Sequence, residues 1–421
     1  MIDTKWLIET EKSETLLINE LSKNKESNQE EIYKFGFGQS PFYPTQSIIN
    51  ELKEHSYRKD YTPVQGILEL RQAVATFHQK FNKINIDPSQ IIIAPGSKLI
   101  LYMTMAAIKQ ADILLPNPCW VSYKPQAIHC HHNIINVEAS YQSKWLIEAK
   151  TLDQALSTRA NPKKPAILIL NYPCNPTGTT FNPSQLQEIA SIAKKHNLII
   201  VSDEIYGPLT FNNNHETIAQ YYPEGTIITS GLSKWCGAGG WRLGIGIIPK
   251  QLGQDYFDRL LGIASETYSS ASTPIQMAAI KAYQWSTELE DYLKKQQHIL
   301  QTIGTYCAEK LQKNHVLTHQ PEGGFYLFPD FSYYKEKLNK KNIHTNVQMC
   351  KSCLEESGVA LLAGAAFGQA PEKLTARLSF VDFDGETLMN LKKPLSKEDL
   401  EKFAPKITKG MNKLIDWLNQ L

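Results

Sequence analysis

Between residues 91 and 248 the chain repeats one pattern: a short, almost wholly apolar run, then a stretch with helical spacing. The runs are Ile91–Ala94, Ile113–Leu115, Ile134–Val137, Ala166–Leu170, Leu198–Val201, Thr226–Ile228 and Leu243–Ile248. A strand with one face in water alternates polar and apolar residues, whereas a run without alternation has both faces covered. Such runs, interleaved with helical stretches such as Gln185–His196, predict a parallel sheet with helices on both sides. The expected fold class is therefore α/β: a large three-layer αβα domain with a mainly parallel sheet, plus a smaller α+β domain. The large domain is placed at residues 46–297, and the smaller one at residues 1–45 and 298–421. The smaller domain has strand signals at Gly324–Phe328, Val359–Leu362 and Ala376–Val381, and includes an N-terminal arm with helical patterning over Trp6–Leu21. Thr273–Asn314 reads as one long helical pattern linking the two domains.

Charge and composition narrow the classes of partner. The 421 residues carry 44 Lys+Arg against 42 Asp+Glu, a formal net charge of +2. Nucleic-acid binding calls for a clustered basic face, so no such partner is expected. No run approaches the ~18 apolar residues of a membrane span, so no membrane partner is expected either. The acidic, mixed N-terminus (MIDTKWLIETEKSE) has no signal-peptide pattern. Seven cysteines, an odd number, read as reduced thiols in a cytoplasmic protein.

Open parallel sheets take their ligands at the carboxyl ends of the strands, and polar residues concentrate there. Pro95-Gly96-Ser97-Lys98 follows the first run and opens a helix, whose unpaired amides and dipole attract an anion. Asn171-Tyr172-Pro173-Cys174-Asn175-Pro176-Thr177-Gly178 follows the run at Ala166–Leu170, and its prolines and glycine force a turn that aims Asn175 out of the sheet. Ser202-Asp203-Glu204-Ile205-Tyr206 sets an acid and a phenol three residues apart. Beyond Thr226–Ile228, the segment Ser230–Gly244 holds Lys234 in a glycine-rich, nearly uncharged stretch with Arg242 eight residues on. That is not the pattern of a solvated surface.

These segments, in this order, resemble the class I/II aminotransferases of the aspartate aminotransferase superfamily, PLP fold type I. Ser233-Lys234…Arg242-x-Gly244 and the Asn-x-Pro-x-Asn-Pro-Thr-Gly segment carry the resemblance, which runs from Gly38 to Arg377. It implies a transaminase that moves an amino group from an L-amino acid to a 2-oxo acid with pyridoxal 5′-phosphate as cofactor. In that light Lys234 looks like the Schiff-base lysine and proton shuttle, and Asp203 like the acid facing the pyridine nitrogen. Tyr206 and Asn175 would bond the cofactor's phenolic oxygen, and Trp120 would stack on its ring. Arg242, Ser233 and the amides of Ser97 and Lys98 would hold the phosphate. Arg377 matches the arginine that grips the substrate α-carboxylate, and Gly38 the glycine lying against it. Tyr61 looks like the tyrosine that reaches the neighbouring subunit's phosphate, which implies a homodimer with shared active sites.

The resemblance leaves the substrate open. Glu266–Pro274 lacks the arginine that one aspartate-specific subgroup contributes there, while Cys119–Tyr123 resembles another such subgroup; an aspartate/aromatic-type or broad specificity is expected. The same constellation also serves C–S lyases and 1-aminocyclopropane-1-carboxylate synthases, because their shared carbanion can lose a leaving group instead. No metal is expected. His129-Cys130-His131-His132 reads as a surface turn, since consecutive residues cannot close one coordination sphere. Cys350-x-x-Cys353 reads as a helix with two incidental thiols. Position 231 is Gly where many relatives of this type carry a phosphate-binding Ser.

Overall fold

A computed structural model describes residues 30–421 together with Lys25 and Ser27; the pattern over Trp6–Leu21 lies outside the described residues. The apolar runs form a single sheet of β1 (Ile91–Ala94), β2 (Asp112–Asn117), β3 (Asn133–Glu138), β4 (Ala166–Asn171), β5 (Ile199–Asp203), β6 (Thr226–Gly231) and β7 (Gly244–Ile247). Their order is β1-β7-β6-β5-β4-β2-β3. Neighbours from β3 to β6 pair in parallel, whereas β7 runs antiparallel to both β6 and β1. β1, β4, β6 and β7 are buried along their whole length, as strands covered on both faces must be.

The two covers can be read along β4, because side chains on a strand alternate between faces. Ala166, Leu168 and Leu170 pack with Leu152 and Leu156 of α4 (Ala149–Ser157) and with Leu186 and Ile189 of α5 (Pro183–Lys195). Ile167 and Ile169 pack instead with Leu101 and Met105 of α3 (Ser97–Ala106). Local chemistry sets the helix starts. Asn182 caps α5 through the Gln185 amide with Pro183 at the first helical position. Ahead of the sheet lie α1 (Gln46–His55) and α2 (Leu68–Phe81); behind it come α6 (Gln254–Thr267) and α7 (Thr273–Tyr283).

The helical pattern expected to run unbroken over Thr273–Asn314 is two helices, α7 and α8 (Thr287–Lys313). Gln284 turns extended after α7, and the Ser286 side chain accepts from the Leu289 amide, so Ser286 starts a new helix. At 27 residues α8 is about 40 Å long. It runs through the boundary expected at residues 297/298. Its buried Leu300, Ile303, Cys307 and Leu311 share a core with Leu327 and Leu378 of the second sheet and with Phe325 and Phe380 beside its strands. That sheet is antiparallel, β8 (Tyr326–Leu327), β10 (Ala376–Ser379) and β9 (Leu362–Ala363), with β10 central. α9 (Asn346–Ser357) starts on a Thr345–Gln348 capping box and stops at Gly358, which takes the left-handed conformation at φ 75°. Cys350 and Cys353 sit buried on α9. The amphipathic α10 (Pro405–Asn419) closes the chain with Met411, Leu414 and Trp417 inward.

His132 departs from the expected surface turn. It is buried, its Nδ1 accepting from the Ala111 amide and its Nε2 lying 3.0 Å from the Met105 carbonyl. It is a satisfied core histidine, and no group of three or more His, Cys, Asp or Glu is placed to hold a metal among the described residues. No described helix is long and apolar enough to cross a membrane.

Candidate active site

The carboxyl ends of β1 to β6 share one edge of the large sheet. Because β7 runs the other way, it begins where the others end. Arg242, two residues before β7, therefore arrives at the same edge as Lys234, three residues after β6. A cavity of about 550 Å³ opens there. Of the residues singled out from sequence, Gly38, Ser97, Lys98, Trp120, Asn175, Asp203, Tyr206, Ser233, Lys234, Arg242 and Arg377 all line it. Tyr61 does not; it stands 89% exposed on the surface.

One part of the cavity is built round a buried acid. Pairing sets Asn171, Asp203 and Thr229 at one level on three adjacent strands. Tyr123 Oη donates to Asp203 Oδ2 at 2.7 Å and Thr229 Oγ1 to Oδ1 at 3.2 Å. Burial pushes the Asp203 carboxyl up to about 6 despite these bonds. Asn171 Nδ2 donates to the Asp203 carbonyl, and its Oδ1 accepts from the Asn175 amide, so the β4 turn is tied to β5. The neighbouring Glu204 belongs to a different environment. It is buried with His215 Nε2 at 2.9 Å and Ser202 Oγ at 2.8 Å. Burial would raise its carboxyl, but the bonds from His215, Thr217 and Ser202 outweigh that and hold it low.

Another part is basic. Gly96 sits at φ 98°, and a Cβ there would fall 2.1 Å from Arg242 Nη2, so only glycine lets the guanidinium lie against the turn. A Cβ at Gly244 would fall 2.1 Å from the Ser97 amide nitrogen at the start of α3. Gly231 likewise has no room for a side chain, since a Cβ would meet the Leu243 carbonyl oxygen at 2.6 Å; glycine at this position is a packing requirement. Arg242 donates to the carbonyls of Gly239 and Pro95 and, among the described residues, to no carboxylate. Lys98 extends over the Trp120 ring, 4.9 Å from its centre, its pKa lowered by burial and by Arg242. Two cations beside a helix N-terminus form a seat for an anion.

Lys234 Nζ donates to the Gly38 carbonyl at 3.0 Å. Burial, and then the charges of Arg377 and Arg242, bring its amine down to about 8. Arg377, on β10, is only 3% exposed. Its Nη1 donates to Asn175 Oδ1 at 3.0 Å and its Nη2 to the Gly36 carbonyl at 2.7 Å. Its guanidinium lies 4.7 Å from the Tyr326 ring centre and 5.1 Å from that of Phe367, and its Nε has no hydrogen-bond partner among the described residues. A buried guanidinium with donor capacity to spare is built to receive an anionic oxygen.

Sequence reasoning missed Tyr326 and the part played by Tyr123. Tyr123 lay within the segment Cys119–Tyr123, but nothing in that segment points to a carboxylate eighty positions away. Tyr326 lay in a strand signal of the second sheet. It lines the cavity with its hydroxyl 2.9 Å from that of Tyr206. Its Oη also stands 2.0 Å from where a Cβ of residue 38 would be, which explains the glycine at that position.

Fold and cavity together set a buried acid, two lysines, the Arg242 guanidinium beside a helix N-terminus and the buried Arg377 round one cleft. A family model, aminotransferase class I and II, matches residues 30–391, and the chain belongs to that family; it is a transaminase. It is 31% identical over 385 residues to the asparagine–oxo-acid transaminase of Streptococcus mutans, covering 89% of this chain and 93% of that protein. It is 30% identical over 377 residues to the aspartate aminotransferase of Bacillus subtilis, covering 87% and 91%. Among solved structures, the aromatic aminotransferase from Pyrococcus horikoshii superposes with a TM-score of 0.79 at 25% identity, covering 95% of this chain and 99% of that one. The aspartate aminotransferase from Thermus thermophilus with maleate, at 22% identity, shares the fold with a TM-score of 0.82, covering 96% and 97%.

Proposed function

We propose that this transaminase uses pyridoxal 5′-phosphate and acts on amino acids of the aspartate and aromatic type. The observation that carries the reading is the assembly in one cavity of Asp203, Lys234, the Arg242–Lys98 anion seat and Arg377. The residues present fit the cofactor in its chemistry. Of the anion seat, Arg242 and the amides opening α3 suit its phosphate, which leaves the Lys98 ammonium for a second anionic group. The raised Asp203 carboxyl suits a ring nitrogen that can share a proton. Asn175 has its Oδ1 committed to Arg377, which leaves its amide hydrogens to donate to a phenolic oxygen. When bound, the cofactor supplies the carbonyl carbon that takes up the amino group and a ring that draws electrons from the substrate Cα.

The chain's own residues then divide the work. Arg242, Ser233 and the amides of Ser97 and Lys98 would hold the phosphate, and Trp120 would stack on the ring. Asp203 would keep a proton on the ring nitrogen, its own charge restored by the cation it would face. Tyr206 and Asn175 would donate to the phenolic oxygen. Arg377 fixes the substrate α-carboxylate against Gly38 with its planar fork. Lys234 would take the proton from the substrate Cα, and a base of pKa near 8 is suited to that at neutral pH. Lys98, whose ammonium faces the cavity, is the cation for a side-chain carboxylate on the substrate.

The test follows the visible absorption of the loaded protein as single amino acids are added, then a 2-oxo acid. A transaminase loses its absorption band to the donor and regains it with the acceptor; release of pyruvate and ammonia without recovery would replace this reading by elimination. In Lys98→Gln, bleaching by aspartate should weaken ~10–100-fold relative to phenylalanine, the worth of one charge-assisted bond. Equal losses for both amino acids would remove Lys98 from side-chain recognition.

The lowered pKa of Lys234 gives a second expectation. A depressed amine is neutral, and so nucleophilic, from lower pH upward: at pH 7 about a tenth of it is free base with a pKa near 8, against ~0.03% at 10.5. Covalent capture of cofactor by the apo-protein should rise with pH to a half-maximum near 8. A rate still climbing in proportion to hydroxide beyond pH 9 would contradict the shift.

Tyr61, clear of the cavity in its own chain, is read as the residue that completes the site of a second copy in a homodimer. The exposed Tyr43, Tyr57 and Tyr61 support such an apposition. Sedimentation should give a dimer, and Tyr61→Phe should loosen cofactor retention several-fold without changing the dimer. A monomer with full cofactor occupancy would exclude the shared site.

A further inference from the structure

We propose that Tyr326 is a positioning residue that sets the direction of the Tyr206 hydroxyl: Tyr326 donates its proton to the Tyr206 oxygen, so that Tyr206 donates its own into the cavity. The inference rests on the reading above, in which Tyr206 faces the cofactor's phenolic oxygen.

The two hydroxyl oxygens lie 2.9 Å apart, and both side chains are buried, Tyr206 at 2% and Tyr326 at 1% exposure. Two hydroxyls joined by one hydrogen bond have two arrangements, since either can donate. If Tyr206 donated to Tyr326, it would turn only its lone pairs to the cavity and repel an anionic oxygen there. The charges around the pair choose the other arrangement. Arg377 lies on the Tyr326 ring face at 4.7 Å, and a cation there makes that phenol the better donor. Arg377 acts on Tyr206 in the same sense, but there Asp203 opposes it, disfavouring loss of the Tyr206 proton. Lys234, the other charged group facing the pair, stands 5.6 Å from the Tyr206 ring centre, where its ammonium counteracts Asp203 only until the amine is neutral.

Packing keeps Tyr326 in this role. Its hydroxyl fills the space where a side chain at position 38 would project, and the edge-on contact of the two rings at 5.6 Å leaves the hydroxyls facing each other. A donor that is itself hydrogen-bonded at its oxygen is polarised and donates more strongly. Tyr326 therefore strengthens the Tyr206 bond without touching the cofactor.

The test is a spectrophotometric pH titration of the cofactor-loaded protein, read from the visible band rather than from turnover. Donation to the phenolic oxygen favours its anionic form, so losing a donor raises the apparent pKa of the band. Tyr206→Phe should raise it by about one pH unit, and Tyr326→Phe by about half as much in the same direction. The double variant should match Tyr206→Phe alone, because Tyr326 acts only through Tyr206. Tyr326→Phe keeps the ring under Arg377, so the KM for amino acids should move far less than in Arg377→Ala. No shift in Tyr326→Phe, or a shift that persists undiminished in the Tyr206→Phe background, would overturn the proposal. So would a KM rise as large as that of Arg377→Ala, which would assign Tyr326 to the arginine instead. If Tyr206→Phe itself leaves the titration unchanged, the placement of Tyr206 on the phenolic oxygen is what fails, and the inference falls with it.

Discussion

Replacing Lys234 with alanine should lower turnover by at least ~10⁴-fold while the protein stays folded, because in the proposed function one side chain serves as both the covalent anchor and the general base. Folding should tolerate the change. The amine makes one hydrogen bond, to the Gly38 carbonyl, and its charged form is disfavoured where it sits. The anion seat and Asp203 remain, so cofactor should still bind, without a covalent link. Borohydride reduction followed by peptide mapping measures this directly. The label should appear on Lys234 in the unmodified protein and nowhere in the variant. A label or a near-normal rate in Lys234→Ala would move the anchor to another lysine, and Lys98 is the other lysine lining the cavity.

Arg377→Ala should reduce kcat/KM for amino acids by ~10²–10³-fold, mostly through KM, as truncating one partner of a desolvated charge pair costs roughly 2–5 kcal/mol. Cofactor retention should change by less than about threefold, since the phosphate is held elsewhere. Two bonds fall with the guanidinium, those to Asn175 and Gly36. The Asn175 amide then loses the contact that orients it, so a modest change in the cofactor's spectrum should accompany the larger KM effect. Steady-state kinetics with an amino acid and with the amine lacking its carboxylate separates these contributions. If the variant loses the same factor with both, Arg377 does not hold the carboxylate.

Much of this site was legible in the sequence for one physical reason. In an open sheet the carboxyl ends of parallel strands gather at one edge, so residues after successive apolar runs meet although they lie far apart in the chain. That argument needs no distances, and it brings Ser97, Asn175, Asp203 and Lys234 together. Arg242 followed from its motif; the reversed direction of β7 that delivers it to the same edge did not show in an apolar run of either sense. Tyr326 was out of reach because its role depends on a contact across 120 positions, from the turn after β5 to the second sheet. The break between α7 and α8 had a local signal, Ser286 ahead of Glu288 and Glu290, outweighed by helical spacing on either side.

The two sheets divide possession of what the enzyme handles. Lys234, Asp203, Arg242 and Ser97 all hang from the edge of the seven-stranded sheet, and the β6–β7 turn alone carries both the anchor lysine and the phosphate arginine. Arg377 and Tyr326 come from the three-stranded sheet. A reaction in two halves needs a carrier that stays while donor and acceptor take turns in the same seat. In the function proposed above, the lasting tenant would be held by one sheet and the passing one by the other, so a small give between them would exchange the visitor and leave the resident undisturbed.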